Sequence, residues 1–161
     1  MMERVNRILR HPLWKGALQQ IEELESERIF CRHDLDHFLH VARIAYIENL
    51  EQSLDLSKEI IYAAALLHDI GRGLQYEKGI PHEEASAALA EGILTDCGFC
   101  ENEIKVIADA ITAHRDADAA KGYDLAGILY RADKNSRNCF ACKAEHECNW
   151  SREKKNTRIK D

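Results

Sequence analysis

The stretch SKEIIYAAALLHDIG, residues 57–71, decides the fold of this chain. From Ile60 to Ile70 it is apolar nearly all round, which predicts a central helix buried on most sides rather than an amphipathic surface helix. Ser57 is its expected N-cap and Gly71 its expected C-cap. Such a helix needs other helices around it, and the flanking sequence supplies them. Upstream, an amphipathic stretch runs from about Glu3 to Glu27; Pro12 breaks it and starts its longer second part, where Leu13, Ala17, Ile21 and Leu24 form a stripe. A second stretch runs from about His33 to Ser53. Downstream, GRGLQYEKGIPH (residues 71–82), rich in glycine and holding Pro81, reads as a loop over a site. Further helices are expected to about Asp96, from Glu101 to Arg115 with Ile104, Ile107, Ala108 and Ile111 inward, and from Ala119 to Asn135. The closing SREKKNTRIKD (residues 151–161) is charged and expected to fray. With two prolines, eight glycines, no strand-like alternation and no internal repeat, the chain reads as one all-α domain.

Composition agrees with that reading. The 161 residues are 45% hydrophobic and 31% charged, and 22 Lys+Arg against 28 Asp+Glu leave a formal charge of −6, which describes a mildly acidic globular domain. A chain of this size buries most of the surface that its unfolded form exposes, so a bound metal would serve function rather than hold the fold together. No apolar run approaches the roughly twenty residues of a membrane span, and MMERVNRILRHPLWKG (residues 1–16) lacks a signal-peptide core, so a cytoplasmic location is expected. The acidic balance argues against binding nucleic acid polymers, whose phosphates need a clustered cationic surface. A small anionic substrate in a local cationic pocket fits better.

The first chemical signal is the placing of histidines and aspartates. His68 and Asp69 close the most buried helix, where an imidazole and a carboxylate have few reasons to be desolvated together unless a metal supplies one. Adjacent side chains diverge by about 100°, so both reach one ion only near a helix end. His114 shares a face with Ile107 and Ile111, and Asp133 follows Leu125 and Leu129 at four-residue steps, so both are polar groups at inward positions. An unpaired carboxylate there would be strongly destabilising, and Asp133 needs a cation or hydrogen-bond donors. His82 opens a helix. His33, His37 and His40 form one stripe, and periodicity does not choose between His37 and His40 as an inward residue. His11, His33 and His146 read as hydrogen-bonded core residues. Several N and O ligands from different helices of one bundle are a recurrent way to build a hydrolytic metal centre.

The ordered segments DHFLHVARIA, ALLHDIGR, ITAHR and ILYRADK resemble the HD superfamily of metal-dependent phosphohydrolases, from about His33 to Arg137. The resemblance implies a helical bundle over residues 1–138 with the metal site between its central helices, followed by a short cysteine-containing extension over 139–161. It selects His37 over His40 and implies His37, His68, Asp69 and Asp133 as core metal ligands. His82 and His114 match two further ligand positions of the two-metal subgroup, most similar to the bacterial symmetrical diadenosine tetraphosphate hydrolases; Asp69 would then bridge the ions. The Gly-Tyr-Pro motif of cyclic-dinucleotide phosphodiesterases is absent.

Two divalent ions held this way activate a bridging water and polarise a phosphoryl oxygen, which leads to hydrolysis of a phosphoester or phosphoanhydride. Asp69 is thus expected in the catalytic centre, with Arg72, Lys134 and Arg137, each next to or one turn from a ligand, neutralising phosphate oxygens. Lys78 and Arg115 are second-rank candidates for the same role and read first as solvated cations. The ligand set suits iron, manganese, zinc, cobalt or nickel; the resemblance favours iron. The expected substrate is a nucleotide or dinucleotide polyphosphate.

Cys139, Cys142 and Cys148 form a C-x2-C-x5-C cluster outside the matched segments, and Cys97 with Cys100 a second C-x2-C. The first group reads equally as buried reduced thiols or as a second metal or redox cluster, a structural zinc needing a fourth ligand such as His146 or a cysteine of the other pair; the second pair reads as buried or exposed thiols. Three other functions compete: a mononuclear nucleotidase on nucleoside monophosphates, di-iron oxygenase chemistry, and a non-catalytic metal or redox module.

Overall fold

The computed structural model describes residues 1–159 and contains no strand among them. Eight α-helices follow in order: α1 (Glu3–Arg10), α2 (Pro12–Leu24), α3 (Leu35–Glu51), α4 (Lys58–Leu67), α5 (Arg72–Lys78), α6 (His82–Cys97), α7 (Glu101–Ala113) and α8 (Leu125–Asn135). Helix α4 is the centre of the bundle. Ala63 to Leu67 are fully buried, and α4 packs against α1, α3, α6, α7 and α8. Three consecutive alanines let neighbours approach on several sides at once, which explains why this helix has no polar face.

Pro12 is the first residue of α2, where its missing N–H costs nothing, and the His11 ring accepts from Leu13 N at 3.2 Å. Trp14 then ties α2 to the core, its indole N–H donating to Leu66 O at 2.8 Å. That carbonyl belongs to the last turn of α4, which has no intrahelical partner to offer.

Four sequence expectations are corrected. Helix α4 ends at Leu67 rather than near Ile70, because side chains take its last carbonyls: Trp14 at Leu66 O and the His68 ring at Ala65 O. Gly71 is not a left-handed C-cap; its φ is −79°, and it precedes α5. Its glycine is required by space, since a Cβ there would meet the Ser86 backbone nitrogen and lie 2.6 Å from His82 O. The stretch expected as a loop contains helix α5, closed by Gly79 at φ 71°. The helix expected from Ala119 is a single 3-10 turn at Ala119–Lys121, and α8 starts afresh where Asp124 caps Gly127 N at 2.9 Å.

After α8 the chain folds back in two single 3-10 turns, Cys139–Ala141 and Glu145–Glu147. The stretch expected to fray is anchored at Asn156, which is buried and donates to Lys134 O at 2.7 Å and Arg137 O at 3.0 Å. Its own carbonyl accepts from Phe140 N at 2.9 Å. Residues 160 and 161 of that stretch lie outside the described residues.

Candidate metal centre

Helix ends converge on one buried cluster. His37 lies in the first turn of α3, where the Asp34 cap accepts its N–H at 2.9 Å. His68 and His114 are the C-cap residues of α4 and α7. Each turns its ring back on the carbonyl three residues earlier: His68 Nδ1 lies 2.7 Å from Ala65 O, and His114 Nδ1 lies 2.5 Å from Ile111 O. His82 opens α6 with Nδ1 2.7 Å from Gln75 Oε1, and Asp133 sits in the last turn of α8. All six are buried.

Hydrogen bonds orient the rings. In His68, His82 and His114 an oxygen faces Nδ1, which leaves Nε2 aimed at the cluster. In His37 the acceptor is Ser136 Oγ at 3.2 Å, whose own proton goes to Asp133 O at 2.7 Å. His82 Nε2 and His114 Nε2 face each other at 3.2 Å, a distance that a proton shared between them or a cation beside the neighbouring carboxylate accommodates.

Asp69 divides the cluster in two. Its Oδ2 lies 3.3 Å from His68 Nε2 and 3.7 Å from His37 Nε2, while Asp133 Oδ1 lies 3.3 Å from His37 Nε2. Its Oδ1 lies 3.1 Å from His82 Nε2 and 3.6 Å from His114 Nε2. Two donor sets therefore share Asp69: His37, His68, Asp69 and Asp133 in one, Asp69, His82 and His114 in the other, with the atoms of each set within 4.8 Å of one another. His68 Nε2 and both Asp69 oxygens are buried without a hydrogen-bond partner. Orphaned acceptors of this kind are what a divalent ion satisfies, so the residues present fit a metal.

Neighbouring charge holds the carboxylates ionised. Burial pushes Asp69 up, but Arg72 and then His68 outweigh it and keep the group well below the usual carboxylate range. Burial likewise opposes ionisation of Asp133, and His37, His68 and Lys134 overcome it. The expected phosphate-binding cations stand at these carboxylates: Arg72 Nε is 3.0 Å from Asp69 Oδ1 and Lys134 Nζ is 2.6 Å from Asp133 Oδ2. Arg137 donates to Arg32 O at 2.8 Å and to His37 Nε2 at 3.1 Å. All three line a cavity of about 550 Å³ with His82, His114 and Asp133 on its wall; Arg115, exposed as a solvated cation should be, also borders it. Lys78 is exposed and elsewhere. A larger groove of about 870 Å³ contains none of the histidine and aspartate donors.

The structure settles one open alternative: His37 is buried in the cluster and His40 is exposed. It also adds a residue that sequence reasoning placed only in the core. His33 Nδ1 donates to Glu25 Oε1 at 2.5 Å, and its Nε2 points inward, 3.7 Å from Asp69 Oδ2. Burial pushes this imidazole down to about 4, so it is neutral near pH 7. Its place one turn before His37 was the available signal. His146 is the opposite case, since its side chain is 96% exposed beside Glu145 rather than in the core.

Residues 34–144 match the HD domain family. A protein of Clostridium beijerinckii described only as uncharacterized is 48% identical over 158 residues, which is 98% of this chain and 99% of that one. Ribonuclease Y of Thermus thermophilus is 32% identical over 106 residues, and ribonuclease Y of Mycoplasma mycoides is 30% identical over 116. The match spans 66% and 72% of this chain but only 17% and 25% of those proteins. The crystal structure of a predicted HD superfamily hydrolase from an uncultured Thermotogales bacterium superposes with a TM-score of 0.66 at 24% identity, covering 91% of this chain and 80% of that one. That likeness shows the shared fold.

Proposed function

The chain belongs to the HD domain family, and from that premise we propose that it is a dinuclear metal-dependent phosphohydrolase cleaving a phosphoanhydride or phosphoester of a nucleotide or dinucleotide polyphosphate. One observation carries the reading: the two oxygens of Asp69 face two separate imidazole sets, the arrangement a bridging carboxylate requires.

His37, His68, Asp133 and Oδ2 of Asp69 would hold one ion; His82, His114 and Oδ1 of Asp69 would hold the other. When bound, such a pair supplies a water of lowered pKa and polarises a phosphoryl oxygen. The protein's residues supply the surroundings. Arg72 and Lys134 neutralise non-bridging oxygens once the carboxylates beside them are engaged as ligands, and Arg137, whose guanidinium lies against the His37 Nε2 that an ion would occupy, would turn its charge to the substrate in the same cavity. Glu25 holds the His33 ring so that its Nε2 accepts a proton or hydrogen bond near the reacting centre. Phe30, Tyr130 and Trp150 line the cavity and offer faces on which a base can stack. Iron is the ion this reading favours.

The test is anaerobic assay of the purified chain against diadenosine tetraphosphate, nucleoside triphosphates, diphosphates and monophosphates, and a short oligoribonucleotide. Polyphosphate cleavage that falls by at least about 10²-fold in Asp69→Asn supports the reading. Turnover of monophosphates alone would favour a mononuclear nucleotidase. Cleavage of the oligoribonucleotide alone would keep the chemistry but replace the substrate class, in line with the name of the ribonuclease Y relatives.

A further inference from the structure

Four of the six cysteines line one cavity. Cys31, from the connection between α2 and α3, lines one small enclosed cavity together with Cys139, Cys142 and Cys148 from the segment after α8. Its volume of about 10 Å³ is no more than one water's worth, which suits an ion stripped of its hydration shell. None of the four thiols is fully exposed, and none is in a disulfide.

The local backbone prepares the cluster. Cys139 and Cys142 stand at the two ends of one 3-10 turn, closed by Cys142 N donating to Cys139 O at 3.2 Å. Cys148 directly follows the second turn, and its N–H donates to Glu145 O at 3.3 Å. Arg28 Nε donates to Cys31 O at 2.9 Å and so fixes the opposing strand of chain. Lys155 closes the rim, its Nζ 2.7 Å from Glu145 O.

This part of the molecule also needs a fastening. Between Cys139 and Arg158 the buried apolar side chains are Cys139 and Ala144, too few to hold the segment by hydrophobic burial. Segments of that kind are ordinarily held by a disulfide or a structural metal. The fourth ligand sought in the sequence is neither His146, which is exposed, nor a residue of the other pair. Cys97 belongs to the main core, and the exposed Cys100 caps α7.

We propose that Cys31, Cys139, Cys142 and Cys148 together ligate one zinc ion at a tetrathiolate site, separate from the histidine and aspartate centre, which clamps the C-terminal extension against the connection before α3. Four sulfur ligands leave no open coordination position, so the site is structural. No three of these sulfurs stand within 4.8 Å of one another, so ligation requires the thiol side chains to rotate toward the ion. Each thiol loses its proton on ligation, and zinc uptake releases protons accordingly. The clamp has a consequence for substrate: Cys31, Cys148, Phe30 and Trp150 also line the 550 Å³ cavity, so the same ion sets the position of one of its walls.

Elemental analysis of the full chain and its Cys31→Ser, Cys142→Ser, Cys97→Ser and His68→Ala variants tests this, together with intact-mass measurement and cobalt substitution of the wild type. The wild type and Cys97→Ser should hold one more zinc than Cys31→Ser or Cys142→Ser, and His68→Ala should keep it. Cobalt at the site should give the intense visible bands and thiolate charge transfer of a tetrahedral sulfur site, a readout that needs no variant to fold. Limited proteolysis should open residues 139–155 in Cys31→Ser while helical circular dichroism is unchanged. Equal zinc in wild type and both serine variants, iron in place of zinc at the thiols, or a mass showing disulfides among them would each overturn the proposal.

Discussion

Replacing Gly71 by Ala tests how the HD turn is fixed against the rest of the centre. A methyl group there would lie 2.6 Å from His82 O and 2.7 Å from Ala85 Cβ, with the Ser86 backbone nitrogen closer still. Two of these three neighbours are backbone of the first turn of α6, so no flexible side chain can swing aside. Overpacking of this kind costs about 1–3 kcal/mol, and a rigid backbone neighbour places Gly71→Ala in the upper part, about 2–3 kcal/mol. The substitution also displaces Gly71 N from Ser86 Oγ, its acceptor at 2.8 Å. The turn and α6 must separate, which lengthens the 3.1 Å approach of His82 Nε2 to Asp69 Oδ1. The set of His37, His68 and Asp133 does not include α6 and should be spared. Urea denaturation should therefore show the loss of stability, and metal titration should show one ion weakened by on the order of 10–100-fold with the other retained. Gly92→Ala is the matched control in α6: nothing lies within 4 Å of its Cβ, so it should be neutral or stabilising by about 0.5–1 kcal/mol. A Gly71→Ala protein with wild-type midpoint and metal affinities would refute the reasoning.

Two further predictions concern groups behind the ligands. Ser136→Ala removes the acceptor of His37 Nδ1–H and should weaken the first ion by about 10–100-fold in titration, with little change in circular dichroism. Glu25 is buried; desolvation pushes its carboxyl up, but His33 and then Tyr76 bring it down to about 2 from 4.5. A depressed carboxyl stabilises the fold above its unfolded pKa and loses that contribution as pH falls through the folded one. Glu25→Gln should thus be destabilised by about 3 kcal/mol at pH 7, with the gap to wild type closing between pH 4.5 and 2. A gap independent of pH would show that shape rather than charge matters at Glu25.

What could be seen in the sequence follows a physical line. His68-Asp69, His114 and Asp133 were legible because each is a polar group at an inward helical step, where only a partner makes burial tolerable. His37 was not separable from His40 by periodicity, since both continue into the apolar face of α3. Position at the first turn, where the Asp34 cap sits, is what buries His37. Helix α5 was misread because Gly71 and Gly73 looked like flexibility. Gly73 is a packing residue instead, with a Cβ there 2.6 Å from Gln20 Cδ. Ser136 and Cys31 left no local trace, because each meets its partners only after distant segments are brought together, and Glu25 and Gln75 meet His33 and His82 only where the chain turns between them. Cys31 in particular has no neighbouring cysteine in sequence to complete a recognisable spacing.

The central claim is that one carboxylate joins two ions. The most direct test is metal content of the anaerobically purified Cys31→Ser chain, which removes the thiol site from the count, alongside the same protein carrying His82→Ala or Asp69→Asn. The predicted result is about two divalent ions per chain, about one after His82→Ala and close to none after Asp69→Asn. A single ion that His82→Ala leaves in place would contradict the dinuclear centre.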